Sequence, residues 1–557
     1  MKRIPLVAVL RDKGFKILRA DALAALTVTV MLIPQGMAYA LLAGLPPIYG
    51  LYAALVPMLI YPFFGSSSYL SVGPVALVSI IVLSGLSVHA EPMSQEYIEL
   101  AILTSLVAGV IQIALAVLRM GFMVNFLSHP VISGFTSAAA VIIAISQLKH
   151  LLGIEVRRAS NIFVGLQDLL GNLGDFNIYS TIIGACALII ILVIRRIKKA
   201  FPAALVAVVL GIVLMSITGW ADEGVNIVGQ VPKGLPKLFI PEITWDKIVL
   251  VTPLALVICL ISFIESLAIA KSLAAKKGRF DIVADNELWG LGLAKTAGAF
   301  FQAFPNTGSF TRSAINEQAG AKSGWSSIFA AILIGLTLLF FTQFFFYLPY
   351  AVLAAIVIAA VISLIDYKEA IHLFKVDKRD FSVLMLTFFL TIFLGIQEGV
   401  LAGVILSLIF IIQKASRPHF AVLGQVSGKG IYRNIRRYRE AGEHNSLLIF
   451  RYDDDLFFAN AEHFYNSVMQ EIYKRDDLRV VILDFSSVSN MDSTGVMYLK
   501  RLQDYISQKG MKLYITGPKG PLRDFLRKNK MYEYIGQDFF EEKIDHAVDK
   551  VKDKQTT

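Results

Sequence analysis

Two charged residues lie within segments of the chain that could enter a membrane. Glu265 lies inside the apolar run 254–270, and Arg312 opens the short segment 310–322. An ionised carboxylate inside a membrane span costs about 3 kcal/mol or more, so Glu265 is expected to face the interior of a helix bundle. A carboxylate in such a pocket can accept a proton, which makes Glu265 a candidate coupling residue; the alternative is a permanent pairing with a cation or with hydroxyl groups.

Arg312 is the natural partner for a small anion. Its planar guanidinium group can hold an oxyanion through two parallel hydrogen bonds. It stands in a stretch rich in glycine and hydroxyl residues, 308–314, and a similar stretch occurs at 71–77. The alternative is an arginine that extends to the membrane surface. The candidate substrate-binding residues in the two stretches are Ser71, Gly73, Val75, Ser309, Phe310, Thr311 and Arg312.

A third contribution is expected from the first apolar segment. Gln35 lies between Pro34 and Gly36, which interrupt that segment, and Tyr39 follows them. Their polar groups can line a pocket for the same anion, whereas the alternative is ordinary helix packing. We therefore add Gln35 and Tyr39 to the candidate substrate-binding residues.

These residues must be positioned by a membrane domain. Of the 557 residues, 56% are hydrophobic and only 17% are charged, whereas a soluble protein carries about 25% charged residues. One bilayer crossing needs about 20 apolar residues. The apolar segments that we predict are 22–43, 48–64, 74–88, 98–119, 126–148, 180–194, 202–218, 248–270, 286–304, 310–322, 325–346, 348–364, 380–396 and 398–414.

The distribution of basic residues gives the predicted membrane topology. Cytoplasmic loops are enriched in Lys and Arg. With the N-terminus inside, the even-numbered connections are cytoplasmic, and all of them after the second carry basic residues at or beside them, for example 195–199 with Arg195, Arg196, Lys198 and Lys199, and 271–279 with three lysines and Arg279. This pattern predicts that both termini are cytoplasmic. It also accounts for the net charge of +10 without a nucleic-acid partner.

The two glycine-rich stretches occupy equivalent places in the two halves of the membrane domain. Each opens the third of seven segments, and an odd number of segments places the second half in the opposite orientation. Paired broken helices in inverted repeats mark a site near the bilayer midplane, where two helix N-termini face each other and favour an anion. The alternative is that Gly and Pro merely kink two ordinary helices.

The chain after about residue 446 has a different, α/β pattern. Runs 447–452, 480–485 and 512–516 predict strands, and helices are expected between them. Ser493 and Thr494 open one of these helices. They are candidate regulatory phosphorylation sites, whereas the alternative is that they cap the helix.

Several classes of function lack a signal in the sequence. No Walker A pattern is present, the eight histidines show no metal-ligand spacing, and no nucleophile–base pattern points to an enzyme. Cys186 and Cys259 both lie in apolar segments, where packing is the expected role. We therefore predict neither a cofactor nor a metal site.

Blocks of residues in the membrane domain resemble the sulfate permease (SulP) family of anion transporters. The first block comprises LIPQGMAYA (32–40), GLPPIYGLY (44–52), FGSSS (64–68) and SVGP (71–74). The second block comprises ES (265–266), DNEL (285–288), FP (304–305) and SFTRSAIN (309–316). The tail, with FANA (458–461) and DSTG (492–495), resembles the STAS domain that usually follows these transporters.

The resemblance implies a complete architecture. It implies an all-α membrane domain of fourteen segments in two inverted repeats, divided into a core domain and a gate domain, followed by an α/β STAS domain. The expected parts are a cytoplasmic lead-in (1–21), the transport domain (22–414), a linker and domain entry (415–445) and the STAS domain (446–557). It also implies a homodimer in the inner (plasma) membrane.

The same resemblance implies secondary active transport of a small anion. An acid at the place of Glu265 is tied in the family to a coupling cation or proton. With Glu265 and Arg312 at these places, the chain resembles the branch of the family that couples sulfate or dicarboxylate transport to protons. The alternatives are sodium-coupled bicarbonate symport, an uncoupled anion channel, and a membrane-anchored signalling scaffold acting through the tail.

Overall fold

A computed structural model describes residues 16–126, 128–154, 162–197, 201–278, 281–426, 431–442 and 445–556. The chain divides into two compact units, Met1–Ser407 and Leu408–Thr557. Residues 1–15 of the expected lead-in lie outside the described residues, as do Lys198, Lys199 and Arg279 of the expected cytoplasmic charges. The first helix begins at Lys16, so residues 16–21 of the expected lead-in are helical.

The first unit is helical, and the division between the two units, after Ser407, falls within its last helix. Its helices are α1 (Lys16–Leu42), α2 (Ile48–Phe64), α3 (Ala76–Leu86), α4 (Gln95–Val117), α5 (His129–Leu152), α6 (Ile162–Gly171), α7 (Ile178–Ile197), α8 (Ala203–Thr218), α9 (Trp245–Lys276), α10 (Ala284–Ala299), α11 (Phe310–Gln318), α12 (Trp325–Leu336), α13 (Tyr350–Val361), α14 (Tyr367–Val376), α15 (Lys378–Leu394) and α16 (Ile396–Ser416). Each of the fourteen predicted segments contains one of these helices, while α6 and α14 lie in predicted connections.

Eight helical segments of the described residues are long and apolar enough to cross a membrane. They are Ile17–Leu42, Gln95–Val117, His129–Leu152, Ile178–Ile197, Trp245–Lys276, Trp325–Phe345, Tyr350–Val376 and Glu398–Ser416. The helices α3 and α11 contain only 11 and 9 residues. At 1.5 Å per residue neither spans the hydrocarbon core, so both are half-helices.

A short strand precedes each half-helix. Strand β1 (Val72–Gly73) precedes α3, and β2 (Thr307–Gly308) precedes α11. The two strands are antiparallel, with Val72 opposite Gly308 and Gly73 opposite Thr307. Non-helical backbone at membrane depth is tolerated only where its polar groups are satisfied by protein or water. The pairing of β1 with β2 provides hydrogen-bond partners for some of these backbone groups.

The helices of the first unit pack in two groups, as the core and gate domains of the resemblance imply. In one group α10 packs against α2 and α4, and α12 packs against α1 and α2. In the other group α5 packs against α13 and α15. Helices α1 and α2 approach so closely that a Cβ atom on Gly50 would lie 1.9 Å from the carbonyl oxygen of Gly36. Only glycine at position 50 allows this contact, which holds α1 against α2.

The second unit is built on one mixed sheet. Its strands are β3 (Phe420–Val426), β4 (Ile431–Asn434), β5 (Ala441–Gly442), β6 (Leu447–Tyr452), β7 (Val480–Asp484), β8 (Lys512–Thr516) and β9 (Phe540–Glu541). The strand order is β4-β3-β6-β7-β8-β9, with β5 also paired to β3. Strands β6 to β9 are parallel, and β3 is antiparallel to β6.

Five helices complete the second unit. They are α17 (Ala461–Tyr473), α18 (Ser493–Gln508), α19 (Gly520–Lys528), α20 (Met531–Ile535) and α21 (Ile544–Thr556). The sheet begins at Phe420, inside the stretch that the sequence predicts as linker and domain entry. Strand β3 is separated from α16 only by Arg417, Pro418 and His419, and it pairs with β6.

Candidate anion-binding site

The two half-helices begin at the paired strands. The residue before α3 is Val75, which is extended and provides no side-chain cap. The residue before α11 is Ser309, whose Oγ accepts a long hydrogen bond of 3.5 Å from the Arg312 N–H group. The first N–H groups of a helix have no partner inside it, and together they carry about half a positive charge. The β1–β2 junction therefore places two positive helix ends at one point.

Arg312 connects the second half-helix to the first. Its side chain is fully buried, so it does not extend to the membrane surface. The Nη1 atom donates to the Pro74 carbonyl oxygen at 2.9 Å, whereas Nε and Nη2 have no hydrogen-bond partner among the residues that the structure describes. A Cβ atom on Gly73 would lie 3.3 Å from Nη2. A buried guanidinium group with unused donors beside two helix N-termini is the arrangement that an oxyanion requires.

Glu265 lies near this charge without pairing to it. The carboxylate of Glu265 and the guanidinium of Arg312 interact electrostatically, and the hydroxyl of Tyr39 interacts with both. In the described part of the chain, no hydrogen bond or ion pair joins Glu265 to Arg312, and the enclosed Oε2 atom of Glu265 has no partner. Oε2 is thus neither paired with a cation nor capped by a hydroxyl group.

Ser71 and Gln35 contribute further polar atoms that are buried and unused. The Ser71 N–H group donates to Ser313 Oγ at 2.9 Å, and the Ser71 carbonyl accepts from the Ser309 N–H group at 3.0 Å. Within the described ranges, the Ser71 hydroxyl itself has no hydrogen-bond partner, and neither has the Oε1 atom of Gln35. Gln35 precedes Gly36, where an added Cβ atom would lie 3.6 Å from the ring of Pro74.

The remaining predicted residues of the two stretches differ in their exposure. Phe310 is 52% exposed and Thr311 is exposed, whereas Val75 is half-buried. Gly73 and Ser309 are buried. The structure thus brings the two stretches to one junction, with Tyr39 and Glu265 within electrostatic reach of Arg312.

The anchoring of β2 was not predicted from the sequence. The Gly308 N–H group donates to Ser266 Oγ at 2.9 Å, and Thr307 Oγ1 donates to the Ser262 carbonyl at 3.0 Å. The hydroxyl oxygens of Ser266 and Thr307 are 2.9 Å apart. Two serines four residues apart in the apolar helix α9 were the available signal, since that spacing places both on one helix face.

Two more buried charged residues lie in the predicted segment 286–304. Glu287 accepts hydrogen bonds from the Tyr61 hydroxyl at 2.7 Å and from the Ser66 N–H group at 2.8 Å, so it fixes the end of α2. Lys295 is also fully buried and donates to Gln112 Oε1 at 3.1 Å. The rule that selects Glu265, a charge inside a predicted span, applies equally to Lys295.

The candidate regulatory residues begin α18 in the second unit. Asp492 precedes the helix, and its carboxylate accepts from the N–H groups of Gly495 and Phe458, each at 2.8 Å. Asp492 is therefore the capping residue. Ser493 is exposed and Thr494 is half-buried, so a role in phosphorylation stays a prediction for both. Within the described ranges, no group of three or more His, Cys, Asp and Glu residues is arranged to hold a metal ion.

Comparison with known proteins assigns both units to families. Residues 18–387 match the Sulfate permease family, and residues 438–549 match the STAS domain. The chain is 39% identical to "Sulfate transporter 4.1, chloroplastic" from Arabidopsis thaliana, over 95% of this chain and 79% of the relative. It is 40% identical to "Probable sulfate transporter 4.2" from the same plant, over 95% of this chain and 80% of the relative.

Solved structures show the same fold. The murine Solute Carrier 26 family member A9 anion transporter, in an inward-facing state, superimposes with a TM-score of 0.90 at 25% identity. The match covers 98% of this chain and 93% of the murine one. With both the family match and these relatives, the chain belongs to the sulfate permease family, and a STAS domain follows its membrane unit.

Proposed function

We propose that the chain is a secondary active transporter that carries sulfate across a membrane together with a proton. The observation that carries the proposal is the buried Arg312, whose Nε and Nη2 donors are unused at the junction of two helix N-termini. A tetrahedral dianion provides acceptors for such a set of donors. The named function of the Arabidopsis relatives supports sulfate as the anion.

The junction offers the anion a set of buried hydrogen-bond donors. The two N-termini and Arg312 form a positive centre, and the anion replaces its water by fixed N–H donors. The unused Nε and Nη2 atoms, together with the hydroxyl of Ser71, are the donors available to it. Related oxyanions and dicarboxylates present similar acceptors, so a panel of competing anions is part of the test.

Glu265 supports coupling to a proton. An ionised carboxylate near the site repels the incoming anion, whereas the protonated acid does not. Proton binding and anion binding therefore favour each other. The absence of an ion pair with Arg312, among the described residues, leaves Arg312 available for the anion and leaves Glu265 to be neutralised by a proton.

The test is uptake of labelled sulfate into liposomes with an acidic exterior, compared with a symmetric control. Glu265→Gln keeps the shape of the side chain and mimics the protonated acid. We expect this variant to exchange sulfate but to lose stimulation by the proton gradient. Glu242→Gln is the matched control, because Glu242 is 64% exposed in the connection between α8 and α9.

Three results would change the proposal. Full proton stimulation in Glu265→Gln liposomes would exclude Glu265 as the coupling residue. Stimulation of the unaltered protein by sodium rather than by protons, with bicarbonate as the preferred competitor, would favour sodium–bicarbonate symport. Electrogenic current without accumulation would favour a channel.

The proposal also includes the location, the orientation and the oligomeric state of the transporter. We place the transport domain at 22–414 in the inner (plasma) membrane, with both termini cytoplasmic, and we expect a homodimer. The alternating basic connections of the sequence support this orientation. Protease digestion of intact and opened cells tests it, since the STAS domain should be cleaved only after the cells are opened.

A further inference from the structure

A buried polar cluster lies beside the candidate anion site, and neither anion binding nor coupling uses it. Lys295 of α10 donates to Gln112 Oε1 of α4 at 3.1 Å. The Nε2 atom of Gln112 donates to the Cys259 carbonyl and to Ser262 Oγ of α9, each at 3.0 Å. Among the described residues, no carboxylate pairs with Lys295, although its side chain is completely buried.

Such a lysine is an unusual choice for packing. A buried amine whose partner is a neutral amide is unfavourable in a membrane interior, where an apolar side chain of the same size packs better. Its presence therefore points to a task that only a hydrogen-bond donor performs. A lysine amine provides donors when charged and no acceptor.

The cluster connects to the strand that bears the anion site. The Ser262 hydroxyl accepts a hydrogen bond from the Gln112 amide, and the Ser262 carbonyl accepts one from Thr307 Oγ1 at 3.0 Å. One turn further along α9, Ser266 accepts from the Gly308 N–H group at 2.9 Å. An unbroken series of hydrogen bonds thus runs from α10 through α4 and α9 to β2.

Lys295 and the Cys259 carbonyl together fix the direction of the amide in this series. Because Lys295 is a donor, the oxygen of Gln112 must face it. The amide NH₂ group then faces Cys259 and Ser262, and the Ser262 hydroxyl donates to the Cys259 carbonyl at 3.3 Å. A rotated amide would place its oxygen against the Cys259 carbonyl, where two acceptors repel each other.

We propose that Lys295 is a positioning residue for anion binding, which acts through Gln112 and Ser262 to hold β2 against β1. The inference rests on the proposed anion transport at the β1–β2 junction. Without the amine, the Gln112 amide loses one of the contacts that orient it, its hydrogen bond to Ser262 weakens, and β2 presents the start of α11 less firmly in the binding geometry. Anion affinity falls, while the conformational change that follows binding is little affected.

The first variant is Lys295→Met, which keeps the length of the aliphatic stem and removes the donor. We expect the KM for labelled sulfate to rise about fivefold, the size of one lost hydrogen bond, with Vmax changed by less than about twofold. Lys271→Met is the matched control, because Lys271 is an exposed lysine on α9. An unchanged KM, or a lower Vmax at unchanged KM, would overturn the proposal.

The second variant, Gln112→Glu, keeps an oxygen facing Lys295 and replaces the amide donor that faces α9. It should raise KM even though Lys295 now has a carboxylate partner. If Lys295→Met does not fold, Gln112→Glu decides alone, and an unchanged KM overturns the inference.

A double variant separates a shared path from two independent effects. Because both residues act through the same series, Lys295→Met combined with Gln112→Met should raise KM no more than the larger single effect. Multiplying effects would contradict the path through Gln112. If the unaltered protein takes up no sulfate, the proposed function fails; if it does and the variants match it, only this inference fails.

Discussion

The two strands that meet at the candidate site are similar in backbone and different in chemistry. The arm formed by residues 71–75 ends in Gly73, Pro74 and Val75 and offers backbone groups, with no side-chain cap on α3. The arm formed by residues 307–312 carries a capping serine and Arg312, and α9 anchors it through Ser262 and Ser266. We call them the neutral arm and the charged arm.

The difference shows how a repeated architecture produces one asymmetric site. Both arms give the positive end of a half-helix, which inverted repeats supply twice. The charged arm adds the guanidinium group, and the guanidinium in turn holds the neutral arm through the Pro74 carbonyl at 2.9 Å. The charged arm therefore carries the guanidinium charge and the contacts to α9, whereas the neutral arm provides the backbone that approaches the guanidinium closely.

The largest effect is expected from the charged arm. Arg312→Ala removes the two unused donors and the link to Pro74, and charge-assisted hydrogen bonds contribute about 1.5–3 kcal/mol each. Sulfate uptake should fall roughly 100-fold in liposomes that contain equal amounts of folded protein. Arg196→Ala is the control, because Arg196 is exposed at the end of α7. Uptake near the unaltered level in Arg312→Ala would remove Arg312 from the site.

An intermediate effect is expected where the neutral arm approaches the guanidinium. Gly73→Val introduces a branched side chain whose Cβ atom would lie 3.3 Å from Arg312 Nη2, so it competes for the space of the anion. We expect an increase of about tenfold in KM, the effect of about 1.4 kcal/mol. Gly171→Val is the control, since open space surrounds Gly171. Equal affinities in both variants would show that the neutral arm lies away from the anion.

The smallest effect is expected from the cap of the charged arm. Ser309→Ala removes a hydroxyl group whose hydrogen bond to the Arg312 N–H group is long, at 3.5 Å. Loss of a helix cap costs about 1 kcal/mol, so uptake should fall by about two- to fivefold. Ser216→Ala, at an exposed serine that donates within α8, is the matched control. A loss as great as that in Arg312→Ala would mean that the hydroxyl, and not the guanidinium, dominates binding.

The local chemistry of the two arms was predictable from the sequence, because it depends on residues that are neighbours in the chain. Gly and hydroxyl residues at 71–77 and 308–314 indicated two broken helices, and the half-helices α3 and α11 confirm that they are interrupted. The fourteen apolar segments were predictable for the same reason, since hydrophobicity is a local property.

The anchoring of the arms was not predictable, because it depends on contacts between residues far apart in the chain. The bonds from Gly308 to Ser266 and from Lys295 to Gln112 join residues 42 and 183 positions apart. No local pattern specifies such pairs. The pairing of β3 with β6 is of the same kind, because it joins residues 420–423 to residues 449–452.

The central claim is that the anion binds between the two arms. Selenate is a tetrahedral dianion like sulfate, and its selenium atom is located directly by anomalous X-ray scattering. A crystal structure of the protein grown with selenate should show a selenium peak at the β1–β2 junction, within hydrogen-bond distance of Arg312 Nε or Nη2, and the peak should be lost in Arg312→Ala crystals. An ordered selenate elsewhere in the first unit, with the junction empty in the unaltered protein, would contradict the account.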